Sequence, residues 1–391
     1  MSTLLSGSTP AGVRLGAVDR YLVPVSERRV LDYFVERLFV AHGVRERLLR
    51  AVLVSPLGPA ARGLLFDATW LAGPAPYRLR PEGAPLQGDE AERWRRSAAL
   101  VREIQDTPEA LDAAGIRPLV PGRSIILRDY DDAGRGRLLV FPFRPGASEP
   151  AAVVKLRDPH ASGAPLRREH DALQRVRTRP EMRASVPEPL FYGATESAEI
   201  LVLSAVPGTS AYVDMQTSLR PARMVATHFQ AAAGWLAGFH RAFADGDGDL
   251  AGAPAHGDYW ARNLLLRPRP GGDTGVAVVD WEHFSETGDP LRDLFHFPVT
   301  YGLNYPWRRY RRCPAPEAFR RTFLSASGLA PHVARYFRRY VALTGLREEG
   351  LRPGLLAYLR DRARTAEPGR EGDWEGCARA LASSGSTVLD A

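Results

Sequence analysis

Between His256 and Asp293 the chain reads H-G-D-Y-W-A-R-N, then V-V-D-W-E, then G-D-P-L-R-D-L. This stretch constrains the fold most, because it fixes several chemically demanding side chains at short, definite offsets. Asp258 has the chemistry of a general base. Asn263, five residues on, and Asp280, at the end of an apolar run, carry the hard oxygen atoms that Mg²⁺ prefers. Singly, each has an ordinary reading: Asp258 as a cap, Asn263 as a turn residue, Asp280 as the end of an exposed strand. Five fixed residues at these offsets arise by chance in roughly one such chain in ten thousand if residues are equally used. They are therefore read as one set.

The charge composition adds an independent pointer. Of 52 lysine and arginine residues, a single one, Lys155, is lysine. It closes the apolar segment Ala151-Ala152-Val153-Val154-Lys155-Leu156, which alternates and branches like a buried strand. A compact ammonium suits a phosphate group where a planar guanidinium fits poorly; the plainer alternative is a leftover lysine on an exposed strand edge. A buried lysine needs a carboxylate. Before the break at Pro180, Glu169 shares the helical stripe of Leu166, Leu173 and Val176, whereas Asp171 falls on another face. A base, two oxygen ligands and a phosphate-gripping lysine are what phosphoryl transfer to a hydroxyl asks of a protein, since that reaction depends mostly on positioning and charge neutralisation.

The order of these residues resembles the protein-kinase catalytic loop followed by a metal-binding Asp. The spelling is closer to the aminoglycoside phosphotransferase and choline kinase superfamily, in which H-G-D-x-x-x-x-N, D-W-E and G-D-P-x-x-D-L recur. The resemblance covers about 118–299 well and the last helices loosely. It implies an α+β, bilobal protein-kinase-like fold: an amino-terminal antiparallel sheet lobe, a mainly helical carboxy-terminal lobe and the nucleotide between them. It implies ATP or GTP and Mg²⁺ as cofactors and a small-molecule hydroxyl compound as acceptor. Carried over by position, Asp258 is the base, Asn263 and Asp280 the metal ligands, Lys155 the phosphate lysine and Glu169 its partner. His256 braces the loop, Trp281 packs under the metal site, and Asp289 and Asp293 pin the loop, Asp293 being the stronger candidate. Gly257 stands where regulated protein kinases have an arginine, and no A-P-E segment follows Asp280, so nothing points to activation by phosphorylation.

Around this centre the chain divides into an amino-terminal extension (1–116), a sheet lobe (117–207) and a helical lobe (208–391). In the extension, 21–25 reads as a strand, Ser26 caps a helix through Val30 and Phe34, 58–85 is Gly/Pro-rich loop and 89–105 a polar helix. Strands over 124–130 and 138–143 flank a turn whose Gly134 and Gly136 would let backbone N–H groups approach phosphates. The loop Pro121-Gly122-Arg123-Ser124 competes for that role. The apolar strand 199–206 stops at Pro207-Gly208. By the resemblance it is the hinge, which makes the main chain from Ser204 to Val206 the adenine contact. A helix is predicted from Pro221 to Phe243, and helices broken near Pro314, Pro331, Pro353 and Pro368 complete the chain.

No signal peptide or eighteen-residue apolar run is visible, and two distant cysteines fit a reducing compartment, so a cytoplasmic location is expected. The net charge is +7. Residues 301–391 hold 16 arginines against 9 acids, the whole surplus of seven. A basic carboxy-terminal region weighs against polycationic acceptors and for a neutral or anionic one, sugar-like or a natural product. Its Arg–aromatic clusters also suit nucleic acid, but the commoner cause of such a pattern is an amphipathic helical surface written in arginine. A kinase-like scaffold without turnover is the other alternative.

Overall fold

The computed structural model describes residues 15–18, 21–24, 28–38, 100–117, 119, 123–130, 136–159, 164–217, 221–244, 250, 252–268, 274–305, 313–366, 368–385 and 388–389. They form two compact units, Met1–Arg175 with Pro187–Pro207, and Val176–Val186 with Gly208–Ala391. The expected loop over 58–85, the start of the 89–105 helix, Gly134 and the Arg308–Arg312 cluster lie outside the described residues.

The first unit is built on an antiparallel sheet of β1 (Leu15–Val18), β2 (Tyr21–Pro24), β3 (Ser124–Tyr130), β4 (Gly136–Pro142), β5 (Ala152–Arg157), β6 (Pro189–Ala194) and β7 (Glu199–Ser204). Its spatial order is β1-β2-β3-β4-β5-β7-β6. Strand alternation divides β5 between two faces. Val154 and Leu156 pair with Val202 and Ile200 of β7, and all four are buried in one apolar cluster. Helical residues 100–105 and helix α2 (Pro108–Ala114) cover that face with Val101, Ile104, Ala110 and Leu111. The end of the amino-terminal segment thus belongs to the core of the sheet. Earlier in that segment, α1 (Arg28–Tyr33) continues as a π-helical turn to Leu38, with Val30 and Phe34 buried. Lys155 takes the other face of β5, opposite Leu139 and Leu201. Helix α3 (Pro165–Arg177) supplies the stripe Leu166, Glu169, Leu173 and Val176, all fully buried.

The second unit is mainly helical. After a two-residue strand β8 (Thr209–Ser210) come α4 (Ala211–Thr217) and the long α5 (Pro221–Phe243), with the bounds its apolar period predicts. Strands β9 (Leu264–Pro268) and β10 (Thr274–Val278) form a hairpin beside β8. Helices α6 (Pro290–Asn304), α7 (Ala315–Phe323), α8 (Ala330–Thr344), α9 (Leu351–Arg364) and α10 (Glu371–Ala382) follow. Its core is aromatic: Phe229, Trp235 and Phe239 of α5 meet Tyr259, Trp281, Phe297, Tyr301 and Tyr336 in ring contacts. No described helix is long and apolar enough to cross a membrane.

Candidate active site

The hairpin of the second unit sets the geometry. Its register pairs Leu264 with Val278. The residues just outside that pair, Asn263 and Val279, are therefore brought together, and Val279 N–H donates to the Asn263 carbonyl at 3.0 Å. Asp280 follows directly, so two side chains seventeen positions apart are carried to one end of a hairpin. Asp280 has φ +68°. A non-glycine residue in the left-handed region costs of order 1 kcal/mol or more and is held there by its surroundings. What holds it here is Trp281, fully buried, with its Nε1–H on the Val278 carbonyl at 3.0 Å and its ring edge-on to His256 at 4.6 Å.

The backbone at His256 and Gly257 is fixed from α6. The Asp293 carboxylate, fully buried, accepts the N–H of His256 at 2.5 Å and of Gly257 at 3.0 Å. Burial pushes this carboxyl up to about 7, opposed by those two N–H groups, which favour its charge. Asp289, earlier in the same motif, caps α6 by accepting Leu291 N–H at 2.9 Å. Two glycines are steric requirements. At Gly257, φ is +84° and a Cβ would lie 2.2 Å from the His283 carbonyl oxygen. At Gly288 a Cβ would meet the Ala255 Cβ at 2.5 Å. The glycine that replaces the kinase arginine therefore has a packing cause of its own.

His256 is a brace. Its Nε2 lies 3.1 Å from the Val279 carbonyl, which can only accept, so Nε2 carries the hydrogen. Nδ1 is then the acceptor for Asp258 N–H at 3.3 Å. Burial lowers its pKa to about 4, and a neutral imidazole ties the loop to the hairpin.

Asp258 lies in the loop with its side chain 32% exposed. Asn263 Nδ2 donates both to the Asp258 carbonyl and to Oδ2, each at 2.9 Å. With its nitrogen so committed, the amide oxygen is the atom of Asn263 available to a hard cation. The other carboxylate oxygen, Oδ1, is 3.3 Å from His296 Nε2. Burial works to raise the Asp258 carboxyl, but the hydrogen bond of His296 outweighs it and holds the group below the usual aspartate range. It is ionised at neutral pH.

In the first unit, Lys155 Nζ is 2.8 and 2.7 Å from the two Glu169 carboxylate oxygens, with side chains 6% and 0% exposed. Ser204 ends β7 and is engaged on both groups with Glu188: its N–H donates to the Glu188 carbonyl, and its hydroxyl accepts Glu188 N–H, each at 2.8 Å. Val206 lies two residues beyond the strand. Gly136 opens β4, and Gly134 lies outside the described residues. Sequence reasoning did not single out His296 of α6, which faces Asp258, or Tyr358 of α9, which bonds His296 from behind. Their signal was only a polar residue within D-L-F-H-F, three after Asp293.

An antiparallel sheet with a strand lysine bonded to a helix glutamate, followed by a mainly helical region opening on an H-G-D-x-x-x-x-N loop, is a protein-kinase-like fold. The chain is structurally similar, at low sequence identity, to aminoglycoside phosphotransferases and protein kinases. The aminoglycoside phosphotransferase APH(3'')-Id from Streptomyces rimosus is 15% identical, with 73% of this chain and 97% of that one covered at a TM-score of 0.35. That enzyme in complex with ADP and streptomycin gives 13% and 0.37 with the same coverage. An aminoglycoside-3'-phosphotransferase of type VIII gives 16%, 70% and 99%, and 0.38. The PknI kinase domain of Mycobacterium tuberculosis gives 15%, 56% and 95%, and 0.32. Superpositions this loose carry no argument about activity. No family model matches the sequence, and no curated protein matches it either.

Proposed function

We propose that this chain is a phosphotransferase that moves the γ-phosphoryl group of ATP, or of GTP, to a hydroxyl of a small molecule, with Asp258 as base. The observation that carries the reading is the double bond pattern from Asn263 to Asp258, which fixes the base and turns an amide oxygen to the metal role in one stroke. The donor set suits Mg²⁺. Asn263 and Asp280 offer hard oxygens, and Mg²⁺ at such sites completes its shell with phosphate and water. When bound, Mg²⁺ would supply charge neutralisation at the phosphate oxygens.

Asp258 takes the proton as the acceptor oxygen bonds to the γ-phosphorus. The bond from that phosphorus to the β-phosphate oxygen breaks, ADP leaves with the electron pair, and the proton passes from Asp258 to solvent. Lys155, oriented by Glu169, neutralises the α and β phosphates. Main chain between Ser204 and Val206 reads the adenine edge; because Ser204 N–H is spent on Glu188, residues 205–206 carry that contact. The basic 301–391 region favours a neutral or anionic acceptor.

The test is a screen for transfer of radiolabelled γ-phosphate to sugars, amino alcohols, aminoglycosides and other antibiotics, with the Asp258→Asn variant as blank. Label appearing in an acceptor with wild type and not with the variant supports the reading. Mg-ATP binding with no transfer to any compound would make the chain a nucleotide-binding scaffold instead.

A further inference from the structure

We propose that His296 is a positioning residue for Asp258, held in register by Tyr358, so that the base is held at one carboxylate oxygen by Asn263 and at the other from α6. The inference rests on the phosphotransferase reading for its purpose, but its geometry stands separately.

Asp258 sits in a loop, where no helix or strand restrains its side chain. Asn263 holds Oδ2 at 2.9 Å, and without a second restraint the carboxylate could still swing about that contact. His296 Nε2, 3.3 Å from Oδ1, supplies it. His296 is buried on α6, three residues after Asp293. Positions three apart share a helix face. One face of α6 therefore grips the loop backbone through Asp293 and the side chain of the base through His296.

The hydrogen assignment makes this a one-way arrangement. A carboxylate accepts only, so Nε2 carries the hydrogen and Nδ1 is the acceptor. The Tyr358 hydroxyl, buried on α9, lies 2.8 Å from Nδ1 and donates to it. Burial pushes the Tyr358 phenol up, which keeps its proton in place. Burial likewise lowers the His296 pKa, against the pull of Asp258. A neutral imidazole whose Nε2 already bears hydrogen cannot take the proton that Asp258 removes from the acceptor. It can orient the carboxylate and lower its pKa, and the captured proton leaves by the exposed side of Asp258.

The second unit contains other buried His–Tyr pairs. His240 Nδ1 meets Tyr340 at 2.5 Å, and His228 Nδ1 meets Tyr301 at 3.0 Å. Those join helices to helices, and the second nitrogen of His228 faces Asp214 at 2.9 Å. In the His296–Tyr358 pair the second nitrogen faces the proposed base. The same fastening has been turned onto the loop.

The experiment has two arms. The first needs no turnover: nitrogen-15 histidine spectra of the full chain should give His296 as the Nε2–H tautomer, with its ring resonances displaced in Asp258→Ala. An Nδ1–H tautomer, or unchanged resonances in that variant, overturns the proposal. The second measures Mg-ATP hydrolysis with water as acceptor. His296→Leu should lower kcat about 10–100-fold, the range for loss of an orienting partner, with KM for Mg-ATP within about twofold. His296→Gln, which keeps an N–H donor, should recover most of it, and Tyr358→Phe should fall between the two. Unchanged kcat in a folded His296→Leu overturns the positioning role while leaving the phosphotransferase reading intact. A wild type without Mg-ATP turnover counts against that reading, and the spectra then decide the inference alone.

Discussion

Replacing Glu169 with Gln would leave the Lys155 ammonium buried without its carboxylate. At 2.7 Å and an effective dielectric constant of about 20 the pair attracts by about 6 kcal/mol. Removing two charges from water costs several kcal/mol per ion, so the net worth of the intact pair is small or negative. Breaking it is different, because one desolvated charge then loses the opposite charge held at 2.7 Å. Glu169→Gln and Lys155→Met should each cost the first unit about 3–5 kcal/mol, while the double variant Lys155→Met/Glu169→Met returns to within about 1 kcal/mol of wild type. Native-state hydrogen exchange of the amides of β5 reads this local stability directly. All three variants should lose phosphoryl transfer. If the double variant were as unstable as either single, the intact pair would itself be a stabilising bridge, and the argument that the buried lysine is kept for phosphate would fail.

The remaining expectations concern the second unit. Gly257→Ala places a Cβ 2.2 Å from the His283 carbonyl at φ +84° and strains the Asp293 bond; a loss of about 3–5 kcal/mol in urea unfolding, followed by fluorescence of the buried Trp281, is expected from strain plus a charged hydrogen bond. Asp280→Gly should relieve the φ +68° strain and raise stability by about 1 kcal/mol while abolishing Mg²⁺-dependent nucleotide binding in calorimetry; a less stable variant would contradict the strain. Acid titration separates the buried histidines. Burial lowers His240 to about 3 and His256 to about 4 from 6.5, so the unfolded chain takes up protons first and stability falls as pH drops below 6.5. The Asp293 carboxyl, raised to about 7, titrates with the opposite slope. A difference measurement isolates His240: in His240→Leu/Tyr340→Phe the stability lost between pH 6.5 and 3 should shrink by several kcal/mol relative to wild type, at about 1.4 kcal/mol per pKa unit. An unchanged acid branch would mean that His240 is not neutral in the folded state.

Some of this was legible in the residues and some could not be. Asp258, Asn263 and Asp280 stand out because phosphoryl chemistry demands particular side chains, and one loop and one hairpin fix their offsets. Lys155 was visible because arginine had displaced every other lysine, and Glu169 because a carboxylate on the stripe Leu166–Leu173–Val176 needs a buried cation. The bounds of α5 follow from its apolar period. His296 was hidden, since D-L-F-H-F reads as core and its role arises only when α6 lies against a loop nearly forty positions earlier. Pro298, not among the expected breaks, lies inside α6, which runs through it to Asn304. Pro331 and Pro353, expected to break helices, stand in the first turns of α8 and α9, where a missing N–H costs nothing. The pairing of β2 with β3 joins residues a hundred positions apart, a register no local pattern encodes.

The most direct measurement is Asp258→Asn, assayed for Mg-ATP affinity by calorimetry and for transfer to whichever acceptor the label screen identifies. An isosteric amide keeps the loop and the oxygen ligands but removes the proton acceptor. Affinity within a few-fold of wild type, with turnover lower by about 10²–10⁴, is the predicted result. Turnover equal to wild type would contradict the assignment of the base, and with it the chemistry proposed for this chain.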